Sequence, residues 1–274
     1  MAARAHSSGQ STGERAPAVM RAVRVLDILG EAQGAPLSLT EVARALGAAK
    51  SSTLNVCLAL EEGGLVRRTE AGYVLGRKVV ELGGAYLRAF DPVLEFYRAC
   101  AASEVLQHER CQLAVLEGTN VLYLATHVGR APFRLSAGIG SRYPASITAV
   151  GNALLAELPE SEIARLFAAD ETRPAFTERS VTSLTGLQQK LRQTRDRGYS
   201  LDHGEVYPGL AGFAIVVPPQ SSGEVPLALG VSILESLMTD DLFERALAAV
   251  REVGRRMSNP MNLAHQAATG EVVV

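Results

Sequence analysis

Along the first ninety residues the apolar positions fall at helical spacing, broken once by a short alternating stretch. Val19, Ala22, Val23, Leu26 and Leu29 mark an amphipathic helix with Arg21 and Arg24 on its other faces, and Gly34-Ala35-Pro36 ends it. Ser38 and Glu41 form an S-x-x-E capping box, so a second helix is predicted to start at Leu39. Leu39, Val42, Ala43 and Leu46 give it one apolar face, and Gly47 closes it. A third helix has a polar first turn (Lys50, Ser51, Ser52, Thr53), later apolar turns (Leu54, Cys57, Leu58, Leu60) and an end at Gly63-Gly64. Leu65 to Arg68 and Tyr73 to Leu75 alternate like strands around Thr69-Glu70-Ala71-Gly72, which predicts a hairpin. Residues 77–90 read as an amphipathic helix ending before Asp91-Pro92. Gly83-Gly84 inside it suits either close helix packing or a hinge.

Beyond residue 93 the pattern becomes mixed. Residues 93–107, Thr148 to Leu158, Ser161 to Ala169, Leu184 to Arg197 and Asp240 to Met257 are predicted helices. Cys111 to Leu116 and Val121 to Thr126 are predicted strands joined by the turn chemistry of Glu117-Gly118-Thr119-Asn120. Phe133-Arg134-Leu135, Tyr199 to Leu201, Gly212 to Val217 and Leu227 to Ile233 are further strand candidates. Hairpin-joined strands interrupted by a group of helices predict an α+β fold with a mainly antiparallel sheet. The expected domains are a disordered tail at 1–17, a winged helix-turn-helix at 18–76, a linker helix at 77–92, an α+β domain at 93–258 and a tail at 259–274.

Charge sharpens this division. The net charge of −2 is the sum of about +3 over residues 1–90 and −5 over residues 91–274. A mildly basic head on an acidic body keeps any contact with nucleic acid local to the head. Such a weak positive charge implies that two heads act together. No apolar run reaches the roughly 18 residues of a membrane span, and the N-terminus lacks the apolar core of a signal peptide. The three cysteines, Cys57, Cys100 and Cys111, have no C-x-x-C spacing. A reduced, cytoplasmic protein without metal or cofactor is expected.

Two helices and a tight turn, the second helix polar at its N-terminal end, make a helix-turn-helix, and the hairpin after it makes a wing. Short hydroxyls and a lysine at that end suit the major groove, while wing cations suit phosphates. The candidate DNA-contacting residues are Arg21, Arg24, Ser38, Thr40, Lys50, Ser51, Ser52, Thr53, Asn55, Arg67 and Arg68. No G-x-S-x-G elbow, H-E-x-x-H or glycine-rich nucleotide loop occurs, so an enzyme, with a hydrolase the nearest alternative, is not expected. His203 follows Asp202 directly, and strand neighbours face opposite ways. A third alternative is a sensor acting through a protein partner.

Several blocks, in order, resemble the isocitrate lyase regulator (IclR) family of bacterial transcription factors. They are Arg21 to Leu26, Leu37 to Ala43, Lys50 to Thr53, Gly72 to Gly76, Pro144 through Thr148 to Ala156, and Arg197 to Asp202 with Glu205, Pro208 and Gly209. The resemblance implies a winged helix-turn-helix head, a GAF-like effector-binding domain, and a homodimer or dimer of dimers on operator DNA. Asn55 stands where an arginine is usual, Asn152 where a lysine is usual, and His203 and Gly204 where acidic residues are common. Gly212 and Gly230 occupy positions that carry cysteine and serine in some members, which implies a roomier, less polar pocket. The helix start at Thr148-Ala149-Val150 offers unpaired N–H groups to a carboxylate. The expected effector is therefore a small carboxylate, and an aromatic acid such as a hydroxybenzoate suits the expected room. The expected pocket residues are Leu135, Ile147, Thr148, Ala149, Val150, Asp202, Gly212, Phe213, Gly230 and Ser232, with Leu229 as a further apolar wall.

Overall fold

The computed structural model describes residues 16–88, 91–130, 138–219 and 224–258. The chain divides into two compact units, residues 1–89 and 90–274.

The first unit holds α1 (Pro17–Glu31), α2 (Leu39–Leu46), α3 (Lys50–Glu62), β1 (Val66–Thr69), β2 (Gly72–Leu75) and α4 (Lys78–Arg88). The capping box is formed: Ser38 Oγ accepts from Glu41 N at 3.3 Å, and Glu41 Oε2 accepts from Ser38 N at 2.8 Å. That bond network also holds the Glu41 carboxyl below its usual range. Val25, Leu29, Val42, Cys57, Leu60, Val66 and Tyr73 make the core of this unit, so every helix except α4 and both strands contribute to it. The wing has a third, unforeseen partner, a bridge from Leu37 to Tyr73. A side-chain carbon at Gly72 would sit 2.4 Å from Leu37 O, so only glycine lets the two backbones meet there.

The second unit holds α5 (Asp91–Ala102), β3 (Arg110–Glu117), β4 (Asn120–Val128), β5 (Arg142–Pro144), α6 (Ala149–Ala156), α7 (Glu160–Leu166), α8 (Leu184–Arg197), β6 (Ser200–His203), β7 (Leu210–Val217), β8 (Leu227–Leu234) and α9 (Asp240–Met257). The strands form one antiparallel sheet in the order β5-β4-β3-β8-β7-β6. The helix expected over 93–107 stops at Ala102, and a separate turn of 3-10 helix covers Leu106–His108. The helix expected from Ser161 begins at Glu160 and ends at Leu166. Strand β5 was not foreseen, being only three residues long. The candidate strand at Phe133-Arg134-Leu135 lies outside the described residues.

All of α6 is buried, as its run of small and apolar residues dictates. It covers one face of the sheet, while α9 reaches the other face through Phe243 against Phe213, ring centroids 5.1 Å apart. Asn152, fully buried, braces the start of α6 by donating to Thr148 O at 2.7 Å and Ser146 O at 3.3 Å. No helix among the described residues is long and apolar enough to cross a membrane.

Candidate functional site

In the first unit, the outward face of α3 is set by burial of Thr53, Cys57 and Leu60. Lys50, Ser51, Asn55 and Leu58 are left exposed on that helix. Ser52 is half-buried and accepts from Arg21 Nη1 at 3.4 Å, which ties α1 to the start of α3. Arg24, Thr40, Arg67 and Arg68 are exposed, and Ser38 is engaged in the cap. Thr53 is a correction. It is fully buried, and its hydroxyl donates to Ala49 O at 3.0 Å, so it braces the helix and offers nothing to a groove. The two wing arginines also differ. Arg68 pairs with Tyr73 across the hairpin and its guanidinium lies 5.9 Å from that ring, whereas Arg67 pairs with Val74.

In the second unit a small cavity of about 40 Å³ opens between α6 and the sheet. Strand register builds its floor. Asp202, Gly212, Ser232 and Arg110 stand in one row across β6, β7, β8 and β3. The next row on that face is Ser200, Ala214, Gly230 and Gln112. Thr148, Ala149 and Val150 of the α6 start close the cavity from above, and Tyr123, Tyr143 and Tyr207 complete the wall. Gln112 Nε2 donates to Ser232 Oγ at 3.1 Å. Thr148 caps α6 as expected, its Oγ1 accepting from Gly151 N at 3.1 Å.

Arg110 is buried, which lowers its proton affinity, an effect partly offset by the phenols of Tyr123, Tyr143 and Tyr207. Burial pushes the Asp202 carboxyl up to about 7, against the opposing effects of the hydrogen bond from Glu205 N and of Lys190. Burial also drives the Tyr123 hydroxyl well above its ordinary range, with Tyr143 and Asp202 adding to the shift. Asp202 is half-protonated near pH 7, and Arg110, next to Ser232 in the strand row, is the cation beside the cavity.

Seven of the ten expected pocket residues line this cavity: Thr148, Ala149, Val150, Asp202, Gly212, Gly230 and Ser232. Phe213 and Leu229 are corrections. They have the opposite strand parity to Gly212 and Gly230 and pack on the other side of the sheet, Phe213 against Phe243 of α9. Ile147 is fully buried and does not reach the cavity. Leu135 lies outside the described residues. The expected room at Gly230 is also corrected: a side-chain carbon there would meet Val150 Cγ1 at 2.6 Å, so α6 already fills that space. The lining is mixed: Gln112, Thr148, Asp202, Ser232 and three tyrosines stand with Val150, Val206 and Leu210. Gln112, Tyr123, Tyr143 and Tyr207, and Arg110 beside them opposite Ser232, escaped sequence reading because nothing local marks them; for Arg110 and Gln112 the register of β3 against β8 was the missing information.

A helix-turn-helix head with a wing, followed by an α+β domain built over an antiparallel sheet, defines a transcriptional regulator with a separate C-terminal domain. The model described as "Bacterial transcriptional regulator IclR C-terminal" matches residues 101–259, and that of the IclR helix-turn-helix domain matches residues 18–70. The chain belongs to the IclR family of bacterial transcriptional regulators. It is 32% identical to the "Probable transcriptional regulator SauR" of Cupriavidus necator, over 82% of this chain and 88% of that one. A crystal structure of an IclR transcriptional regulator from Alicyclobacillus acidocaldarius superposes with a TM-score of 0.79 at 26% identity, covering 89% of this chain and 98% of that one. An IclR homologue from Microbacterium hydrocarbonoxydans, complexed with 4-hydroxybenzoate, shares the fold with a TM-score of 0.73 at 23% identity, over 88% and 97% of the two chains. Neither matched family model describes an enzyme.

Proposed function

We propose that this regulator binds operator DNA as a dimer and that a small organic acid, entering the cavity under α6, alters that binding so as to control a catabolic operon. The observation that carries the ligand reading is the convergence of the α6 start, with the N–H groups of Ala149 and Val150, and the Asp202, Ser232 and Gln112 side chains on one space, with Arg110 next to Ser232 in the strand row beside it. A carboxylate is the group that this set satisfies best, since the helix start and the guanidinium both favour negative charge. Asp202, protonated below about pH 7, donates to the acid, and above that accepts from a ligand hydroxyl. The cavity is well below the roughly 300–1,000 Å³ of drug-sized sites, which favours a compact acid over an aromatic one. The bound 4-hydroxybenzoate of the Microbacterium hydrocarbonoxydans homologue keeps hydroxybenzoates in the test.

On the DNA side, Lys50, Ser51, Ser52 and Asn55 face the major groove and Arg67 and Arg68 the phosphates, with Arg21, Arg24 and Thr40 at the rim. Dimerisation is supported by the exposed apolar residues Val19, Met20 and Val23 on α1 and Val80 and Leu82 on α4. The test is operator binding by fluorescence anisotropy across a salt series, paired with calorimetry of glyoxylate, pyruvate, benzoate and 4-hydroxybenzoate. Replacing Arg67 and Arg68 together by alanine should weaken binding to all sequences and lower the salt slope by up to about 2. Normal operator binding by that variant at every salt concentration refutes the wing assignment, and failure of all four acids to bind refutes the cavity assignment.

A further inference from the structure

The outer wall of the cavity is a short strap tied down at both ends, with the Tyr207 carbonyl in its middle accepting from Leu210 N at 3.2 Å. Gly204 (φ +74°) and Gly209 (φ +76°) bound it, both in the left-handed conformation that a side chain would strain. At the first end, Thr177 Oγ1 donates to Gly204 O at 2.7 Å and Ser180 Oγ to Glu205 O at 2.7 Å. Asp202 Oδ1 accepts from Glu205 N at 2.8 Å, and the Glu205 carboxylate forms a buried ion pair with Lys190. At the second end, Glu235 N donates to Gly209 O at 2.9 Å. Val206, Tyr207 and Pro208 run between these clamps, and Val206 and Tyr207 line the cavity.

Across the cavity stands Tyr143 on β5, the edge strand farthest from β6 in the sheet order. Its ring rests on Tyr123, centroids 5.8 Å apart, so it is a fixed post. The hydroxyls of Tyr143 and Tyr207 are 2.8 Å apart. This contact joins edge strand β5 to the β6–β7 connection over the cavity.

We propose that the Tyr143–Tyr207 hydroxyl pair is the latch of the cavity: the strap swings about Gly204 and Gly209 to admit an acid, and the closed latch sets the largest acid retained. The size role rests on the reading of this cavity as the effector site; the latch itself does not. Glycine pairs of this kind absorb the backbone rotation, and because the Glu205 clamps lie inside Gly204, opening also loosens the Glu205 N–H from Asp202 Oδ1. A single net hydrogen bond shifts such an opening equilibrium by about 2- to 10-fold.

Hydrogen exchange on the ligand-free, full-length protein tests the latch directly. Tyr143→Phe and Tyr207→Phe should each speed exchange of the Glu205 and Leu210 amides by about 2- to 10-fold, with amides in the middle of β7 and α6 unchanged. Calorimetry then tests the size role: Tyr207→Ala should gain 4-hydroxybenzoate affinity by about 10-fold or more while losing affinity for pyruvate. Unchanged exchange in both phenylalanine variants overturns the latch, whatever the cavity binds. Faster exchange with the same acid preference in wild type and Tyr207→Ala overturns the size role. Faster exchange with no acid bound by either protein refutes the effector-site reading and leaves the latch standing.

Discussion

Replacing Gly230 by alanine should destabilise the C-terminal unit although it adds a single methyl group. The new carbon would lie 2.6 Å from Val150 Cγ1 and 3.4 Å from Ala214 Cβ. Ordinary carbon contacts are about 3.5–4.0 Å, so the overlap with Val150 is near 1 Å. Neither neighbour yields easily. Val150 is β-branched within a helix and so has one strongly preferred rotamer. The start of the helix is itself closely packed, since a side-chain carbon at Gly151 would sit 2.3 Å from Ala145 O. Overpacking of this kind costs about 1–3 kcal/mol. Against it, alanine in place of glycine returns about 0.4–1 kcal/mol by restricting the unfolded chain. The net loss is therefore about 1–2 kcal/mol, or roughly 2–8 °C in Tm for a unit of this size. Urea or thermal unfolding of Gly230→Ala, Val150→Ala and the double variant measures it. Removing the Val150 methyls relieves the clash, so the double variant should be about 1 kcal/mol more stable than the sum of the single effects predicts. Wild-type stability in Gly230→Ala, or strict additivity in the cycle, refutes the close packing of α6 on β8.

Asp202 gives a prediction with a defined pH window. The folded protein holds this proton up to about pH 7, while an unfolded aspartate releases it near 3.9, so the folded state binds more protons between those values. Its contribution to stability is fully present below about pH 4 and is lost as pH rises to about 7, up to about 4 kcal/mol in all. Asp202→Asn cannot titrate, and the wild-type-minus-variant difference in urea unfolding should decline over that window and flatten above it; parallel curves refute the raised carboxyl. Thr53→Val, which removes a buried hydroxyl but keeps the shape, should leave operator affinity within about twofold, whereas Asn55→Ala should change preference at one base pair by roughly 1–3 kcal/mol in anisotropy competition.

The head was largely legible because its signals are local. The Ser38–Glu41 box, the stop at Gly47 and the apolar face of α2 each lie within one or two helical turns, and each sets its own boundary. Thr53 failed for a reason equally local but of the opposite sign. A hydroxyl in the first turn of a helix can point to solvent or bond back to the carbonyl four residues earlier, and the sequence alone carries no preference between these. The bridge from Leu37 to Tyr73 was hidden because a single pair of facing residues leaves no periodicity.

The cavity is legible only halfway, and the boundary falls where sequence distance grows. The cap and helix start at Thr148, Ala149 and Val150 are local facts, but it is the family resemblance that puts them at a pocket and puts Gly212 and Gly230 in it; Asp202 and Ser232 follow from a strand end and strand alternation. Arg110 joins them from a strand about 90 residues before Asp202, and nothing near it in sequence says that it shares their row. Parity along each strand is the physical rule that sorts the remainder. Once Gly212 faces α6, Phe213 must face α9; once Gly230 does, Leu229 must not. The same rule explains why Gly212 and Gly230 do not enlarge the cavity. They lie on the α6 side of the sheet, so the space left by their missing side chains is taken up by the approach of Ala149 to Gly212 and Val150 to Gly230. The glycines thus bring the N–H groups of the helix start close to the row that holds Arg110 and Asp202. Cavity size is then left to the side chains that close the mouth, Tyr143 and Tyr207, and selectivity among acids should follow substitutions there more than substitutions at the glycines.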